Sequence, residues 1–214
     1  DTRLCLEQFD HLAESFSGVQ KLRNLILELA VRGKLIEQNP DDEPIAKVFK
    51  RLELSESDNQ DSDEASDRLI DLPVGWVWKR IDRIANVKGG KRIPQGHTLL
   101  DTPTPYIYIR VTDMKNGTIS NTGSKYISAE TRNIIKNYTI SSEDLYITIA
   151  GTIGSVGFVP KEFNGMNLTE NAAKITLLSR ELISDTYMYY ALNSQILQAQ
   201  FQEKFNQMAQ PKLS

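Results

Sequence analysis

Residues Asp144 to Val159 read D-L-Y-I-T-I-A-G-T-I-G-S-V-G-F-V, and they restrict the fold more than any other part of the chain. Leu145 to Ile149 form an apolar, β-branched run. Three glycines follow three residues apart (Gly151, Gly154, Gly157), and Val156 to Val159 is a second apolar run. β-Branched and aromatic residues suit a pleated strand, and glycine admits positive φ or the close approach of another group. The pattern predicts strand, glycine-built turn, strand. Two uses of that turn stay open. One is a hairpin in a core sheet. The other is a phosphate-binding loop, but dinucleotide loops run from a strand into a helix with G-x-G-x-x-G spacing. Here the glycines lead into Phe158-Val159-Pro160 and no G-K-[ST] follows, so a nucleotide cofactor is not expected. Close approach to a nucleic-acid backbone needs only small residues and free N–H groups, and the pattern allows it.

Upstream, Phe9, Leu12, Phe16, Val19, Leu22, Leu25, Ile26, Leu29 and Ala30 recur at spacings of three and four, which predicts an amphipathic helix within 9–32. Ser17 is a candidate N-cap partway along, Gly33 a candidate C′ residue, and Arg32 favours the last turn. Pro44 suits the first position of a second helix reaching about Leu54, with Ile45, Val48, Phe49 and Leu52 inward. The acidic run S-E-S-D-N-Q-D-S-D-E-A-S-D at 55–67 has no large apolar side chain and reads as a linker. It lacks the glycine and final glutamate of a calcium loop.

The second part opens on a turn at Pro73-Val74-Gly75 and a strand-like Trp76-Val77-Trp78. A basic glycine loop is expected at Val87–Arg92, with strands at Tyr106–Val111, Lys125–Ser128 and Ala172–Leu178. Short helices are expected after Ser128 and after Ser184 or Asp185, and a last one from Ser194 to Phe205. The expected organisation is an amphipathic helical segment (1–54), an acidic linker (55–71) and a globular mixed α/β domain with short strands (72–214), of α+β class.

The net charge of −3 is unevenly placed: residues 1–70 hold 9 basic and 16 acidic side chains, and residues 71–214 hold 16 and 12. The larger part, at +4, has the sign that phosphate contacts require. No apolar run approaches the ~20 residues of a membrane span, and the polar start carries no secretory signal. One cysteine, Cys5, excludes an internal disulfide and a cysteine-based zinc site. These features lead to a cytoplasmic expectation. Catalytic patterns are missing. His11 and His97 form no cluster, and Asn39-Pro40-Asp41-Asp42 is not the N-P-P-aromatic motif of an amino-methyltransferase. The nuclease-like pieces Pro40-Asp41 and Asp113-Met114-Lys115 fall in different expected domains. A non-catalytic binding protein without metal or cofactor is expected.

The candidate DNA contacts begin with Lys88, Gly89, Gly90, Lys91 and Arg92, where glycines permit close approach and cations meet phosphates; a solvated hairpin is the alternative. Arg110, Thr112, Lys115 and Asn116 follow the Tyr106–Val111 strand, and arginine and asparagine read guanine and adenine edges. Gly151 lies on the glycine turn. Lys125, Tyr126, Asn167, Thr169, Asn171 and Lys174 read as further polar loop residues, and Gln207, Gln210 and Lys212 close the set.

L-Y-I-T-I-A-G-T-I-G-S-V-G resembles the strand–G-x-I-G–strand signature of target recognition domains in the specificity subunits of type I restriction–modification enzymes, with Gly151, Ile153 and Gly154 as the signature residues. The segment from Val19 to Leu52, the opening L-P-V-G-W-V-W, then K-G-G-K, Y-I-Y-I-R-V-T-D-M, K-Y-I-S and the closing M-A-Q-P-K-L-S are similar to the same family in the same order. The resemblance implies a non-catalytic subunit that reads one half of a split double-stranded DNA target. It implies docking to modification subunits, which use S-adenosylmethionine to methylate adenine, and assembly with restriction subunits. Such subunits carry two recognition domains, so the chain looks like an amino-terminal half, for which pairing of two half-length copies is a further expectation.

Overall fold

The computed structural model describes residues 17–51 and 71–206. It divides into two compact units, Asp1–Arg83 with Ser194–Ile196, and Ile84–Asn193 with Leu197–Ser214.

In the first unit, helix α1 spans Gly18–Val31. It starts after Ser17, whose side chain makes no capping hydrogen bond. It ends in a Schellman closure: Gly33 N–H donates to Ala30 O at 3.0 Å and Lys34 N–H to Leu29 O at 2.7 Å, with Gly33 at φ +63°. The part of the expected helix before Ser17 lies outside the described residues, as do Leu52 to Leu54 and the acidic run. Helix α2 spans Ile45–Arg51 and buries Phe49. The strand expected at Trp76–Trp78 does not form. Trp76 instead donates its indole N–H to Gln38 Oε1 at 2.8 Å and covers Gly33, where a Cβ would stand 2.8 Å from the ring. Its partner is a helix terminus, not a neighbouring strand.

The second unit is α+β, as expected. Its elements are β1 (Ala85–Gly89), β2 (Ile107–Ile109), β3 (Met114–Lys115), β4 (Thr118–Ile119), β5 (Lys125–Tyr126), α3 (Ala129–Ile134), β6 (Thr139–Ile140), β7 (Leu145–Thr148), β8 (Val156–Phe158), β9 (Met166–Leu168), β10 (Ala172–Leu177) and α4 (Asp185–Leu192). Helix α5, Gln195–Asn206, follows. One sheet has the order β1-β10-β7-β8, another β5-β2-β9-β6, and β3-β4 form a two-stranded hairpin. Among the described residues β2 and β9 pair in parallel and the other strand pairs are antiparallel. Ile109, Ile140, Tyr146, Val159, Phe163 and Leu168 belong to one buried cluster. Ser128 caps α3 by accepting from Thr131 N–H, and Ser184 caps α4 by accepting from Thr186 N–H, both at the expected positions.

The glycine stretch forms the expected hairpin, β7 against β8. Its glycines act differently. Gly151 and Gly154 adopt φ of +79° and +80°. Gly157 has ordinary φ but lies under the Tyr146 ring, which a Cβ would strike. Tyr146 in turn donates its hydroxyl to Thr118 O at 3.0 Å. The third glycine therefore serves packing.

Burial pushes the Tyr108 phenol up to about 12 and raises that of Tyr146 as well. An unfolded tyrosine titrates near pH 10. Below that pH both states keep these protons, and above it the unfolded chain alone sheds them, so stability falls as pH rises from about 10 toward 12. The urea midpoint should drop over that interval, and drop less in Tyr108→Phe; equal profiles for the two proteins would contradict this.

Candidate nucleic-acid interface

Sheet pairing decides which candidate residues meet. Gly89 at the end of β1 stands opposite Ala173 of β10. Past the strand, Gly90 N–H donates to Ala172 O and Lys91 N–H to Leu168 O, both at 2.9 Å. After β2 and β9, Thr169 N–H donates to Ile109 O at 3.0 Å. Ile149 and Ala150 N–H both donate to Asn171 O, at 2.9 and 3.2 Å. A Cβ on Gly151 would lie 3.9 Å from Val111. The ends of β1, β2 and β9 and the β7–β8 turn therefore gather at one end of the unit, bringing together Gly90, Lys91, Arg92, Thr112, Gly151 and Asn171. Lys91, Arg92, Thr112, Gly151 and Thr152 are exposed there.

Several sequence expectations are corrected. The basic loop begins as strand: Lys88 and Gly89 are exposed residues of β1, an edge strand. Gly90 does not leave room for a ligand, because a Cβ there would overlap the carbonyls of Leu168 and Thr169. Lys174 lies in β10 and Lys125 and Tyr126 in β5, within the strands expected there, so their second reading as loop residues does not hold. Asn167 is wholly buried in β9, where its amide donates to Ile135 O and Tyr138 O at 2.8 and 3.2 Å; Thr169 is also buried.

Arg110 follows a strand of three residues, and its guanidinium is engaged. Nε and Nη2 donate to Asp113 at 3.1 and 2.6 Å, and Nη2 also to Gly123 O at 2.9 Å. The Asp113 carboxylate, 5% exposed, also accepts from the Arg110 backbone N–H at 2.8 Å. Asp113 N–H in turn donates to Arg110 O at 3.0 Å, so the pair closes the turn Val111–Asp113 and ends the strand expected through Val111.

Lys115 and Asn116 are exposed but set apart from the loop cluster. Asn116 (φ +54°) and Gly117 (φ +72°) make the two-residue turn between β3 and β4. The Asn-Gly dipeptide was the readable signal for this hairpin. Gly117 O accepts from Phe158 N–H at 2.9 Å, at the end of β8 remote from the glycine turn. Gln207 and Gln210 lie outside the described residues. His97 Nδ1 is 2.8 Å from Thr131 Oγ1, at the start of α3.

The Arg92 side chain is 79% exposed and pairs with Glu170 at 2.8 Å. Tyr108 and Thr169 hydroxyls donate to the other Glu170 oxygen at 3.3 and 3.1 Å, and the Tyr108 hydroxyl lies 2.8 Å from Lys91 O. Burial alone would raise the Glu170 carboxyl, but hydrogen bonds from Arg92, its own backbone and Thr169 hold it below its usual value. The hydrogen bond to Glu170 raises Arg92. Glu170 and Tyr108 thus hold Arg92 and Lys91 at the cluster, a role no local motif announced, since Arg92 and Glu170 are 78 residues apart. The turn itself is held from α5: Gln198 Nε2 donates to Gly154 O at 2.8 Å and to Leu192 O at 2.7 Å.

Among the described residues, no group of three or more His, Cys, Asp or Glu could hold a metal ion, and no helix is long and apolar enough to cross a membrane. Loops carrying arginine, lysine, threonine and asparagine, presented together on a rigid sheet, are suited to phosphate and base-edge contacts.

A family model for the type I restriction modification DNA specificity domain matches residues 73–214. The chain belongs to this family. Its specificity-subunit relatives include those of two Escherichia coli type I restriction enzymes. The EcoAI subunit is 40% identical over 81 residues, 33% of this chain and 14% of that one. The EcoBI subunit is 24% identical over 222 aligned residues, 100% of this chain and 40% of that one. A solved chain from a study of complex assembly and conformational transition in the type I R-M system shares the fold, with TM-score 0.52 and 15% identity over 99% of this chain and 44% of that one. The chain thus spans less than half the length of these relatives. The match with this specificity family agrees with the resemblance read from the sequence.

Proposed function

We propose that this chain reads one half of a bipartite DNA target for a type I restriction–modification enzyme. The observation that carries the reading is the gathering of Lys91, Arg92, Thr112, Gly151 and Asn171 at one end of the second unit, although they are dispersed along the sequence. The chain acts as a non-catalytic specificity subunit without a cofactor of its own. Modification subunits dock to it and supply S-adenosylmethionine for adenine methylation, and restriction subunits join the full complex. Exposed apolar residues in the first unit, Leu25 and Ile26 on α1 and Ile36 after it, support docking to a protein partner.

The test is binding of the purified chain to duplex DNA between about 50 and 200 mM salt, with and without the modification subunit. A straight, falling plot of log affinity against log salt is expected, with affinity sharpened by the subunit. Arg92→Ala should weaken binding and make the slope shallower by about one. Binding of the modification subunit with no DNA binding at any salt would leave an assembly scaffold instead.

A further inference from the structure

Lys88, Gly89 and Gly90 from the edge of the first sheet and Tyr138 and Thr139 at the start of β6 line one shallow surface depression. Lys88 Nζ and Lys91 Nζ lie 5.7 and 5.5 Å from the centroid of the Tyr138 ring, so one aromatic ring attracts two ammonium groups. Lys88 stands directly opposite Lys174 across the β1–β10 pair, and like charges so placed are unfavourable. Asp144 is 3.3 Å from Lys174 and neutralises it. Lys88 and Lys91 have no acidic partner among the described residues. Beside them, a Cβ on Gly89 would meet nothing within 4 Å, so the backbone is open to approach. Two uncompensated cations, an aromatic ring that orients them and open backbone between them form an arrangement that an anion stabilises.

We propose that Lys88, Lys91 and Tyr138 form a subsite for the phosphodiester backbone of DNA, at the edge of the loop cluster and separate in role from its Thr112, Gly151 and Asn171. The inference rests on the DNA-recognition reading. The depression is too shallow to enclose a free anion, and the cations continue along the chain to Arg92, which suits a polyanion lying along the edge of β1. Contacts of this kind position a duplex without reading its sequence.

The test uses the full chain and two duplexes, one selected for tight binding and one of random sequence. Lys88→Gln/Lys91→Gln should make the salt slope shallower by about 0.9 to 1.8, one to two phosphates, for both duplexes, and leave the ratio of their affinities unchanged. Tyr138→Leu keeps both charges. It should weaken binding about two- to fivefold at unchanged slope, and Tyr138→Phe should restore it. If the original protein shows a salt-dependent affinity and the double variant keeps its slope, the subsite is wrong and the recognition reading stands. A changed affinity ratio would make these lysines base readers and also overturn the subsite. If Tyr138→Leu binds as tightly as Tyr138→Phe, the ring has no part in it. Absence of DNA binding by the original protein would overturn the subsite and the recognition reading together.

Discussion

Gly90→Ala is expected to destabilise the second unit by about 3 kcal/mol or more, the upper range for overpacking a tight site. The methyl would overlap the carbonyl oxygens of Leu168 and Thr169 and the Leu168 carbonyl carbon. These are backbone atoms already engaged: Leu168 O accepts from Lys91 N–H, and Gly90 N–H is tied to Ala172 O. No side-chain rotation relieves the overlap, so β1 must part from the β9–β10 connection. For a chain of this size that corresponds to a fall in melting temperature of roughly 6–12 °C. Gly89→Ala is the control. Its Cβ would meet nothing within 4 Å, and its stability should stay within about 0.5 kcal/mol of the original. Equal melting temperatures for the two variants would show that the two glycines are equivalent and the argument wrong.

Asp113→Ala carries the second large effect, about 3 kcal/mol, because it removes a buried carboxylate that accepts charge-assisted hydrogen bonds, worth roughly 1.5–3 kcal/mol each. Three hydrogen bonds from Arg110 end on this carboxylate, and the backbone of Asp113 accepts from Ser120 N–H at 2.8 Å, next to the β3–β4 hairpin. Thermal unfolding should show a loss of roughly 6–12 °C. Arg110→Ala should also lower stability and, measured where it is folded, keep the salt slope of DNA binding. A shallower slope at full stability would return Arg110 to the DNA surface.

Local chemistry was legible. The glycine hairpin, the caps at Ser128 and Ser184, the Gly33 terminus and the strand Ala172–Leu177 each depend on residues within a few positions of one another. Steric limits on φ, capping hydrogen bonds and alternating burial act over that range, and the pattern survives in the sequence. The hairpin at Asn116-Gly117 was equally local, and its dipeptide carried a signal that the reading of Asn116 as a DNA contact passed over. Arg110 looked like a base reader because it follows a strand, and its spacing of three from Asp113 was the overlooked sign of a local ion pair. Trp76-Val77-Trp78 had strand composition, but Gln38 and Gly33 determine what Trp76 does.

By itself, the sequence determined the α+β class, the glycine hairpin, the caps and the specificity-family resemblance. Tertiary structure alone decided which polar residues face outward together. Gly90 proved a packing residue because Leu168 and Thr169 cross beneath it. Arg92 is held by Glu170, and Lys88 and Lys91 meet over Tyr138. Each of these contacts joins segments tens of residues apart, through strand pairings whose register depends on the whole buried sheet, and no short window of sequence contains both partners.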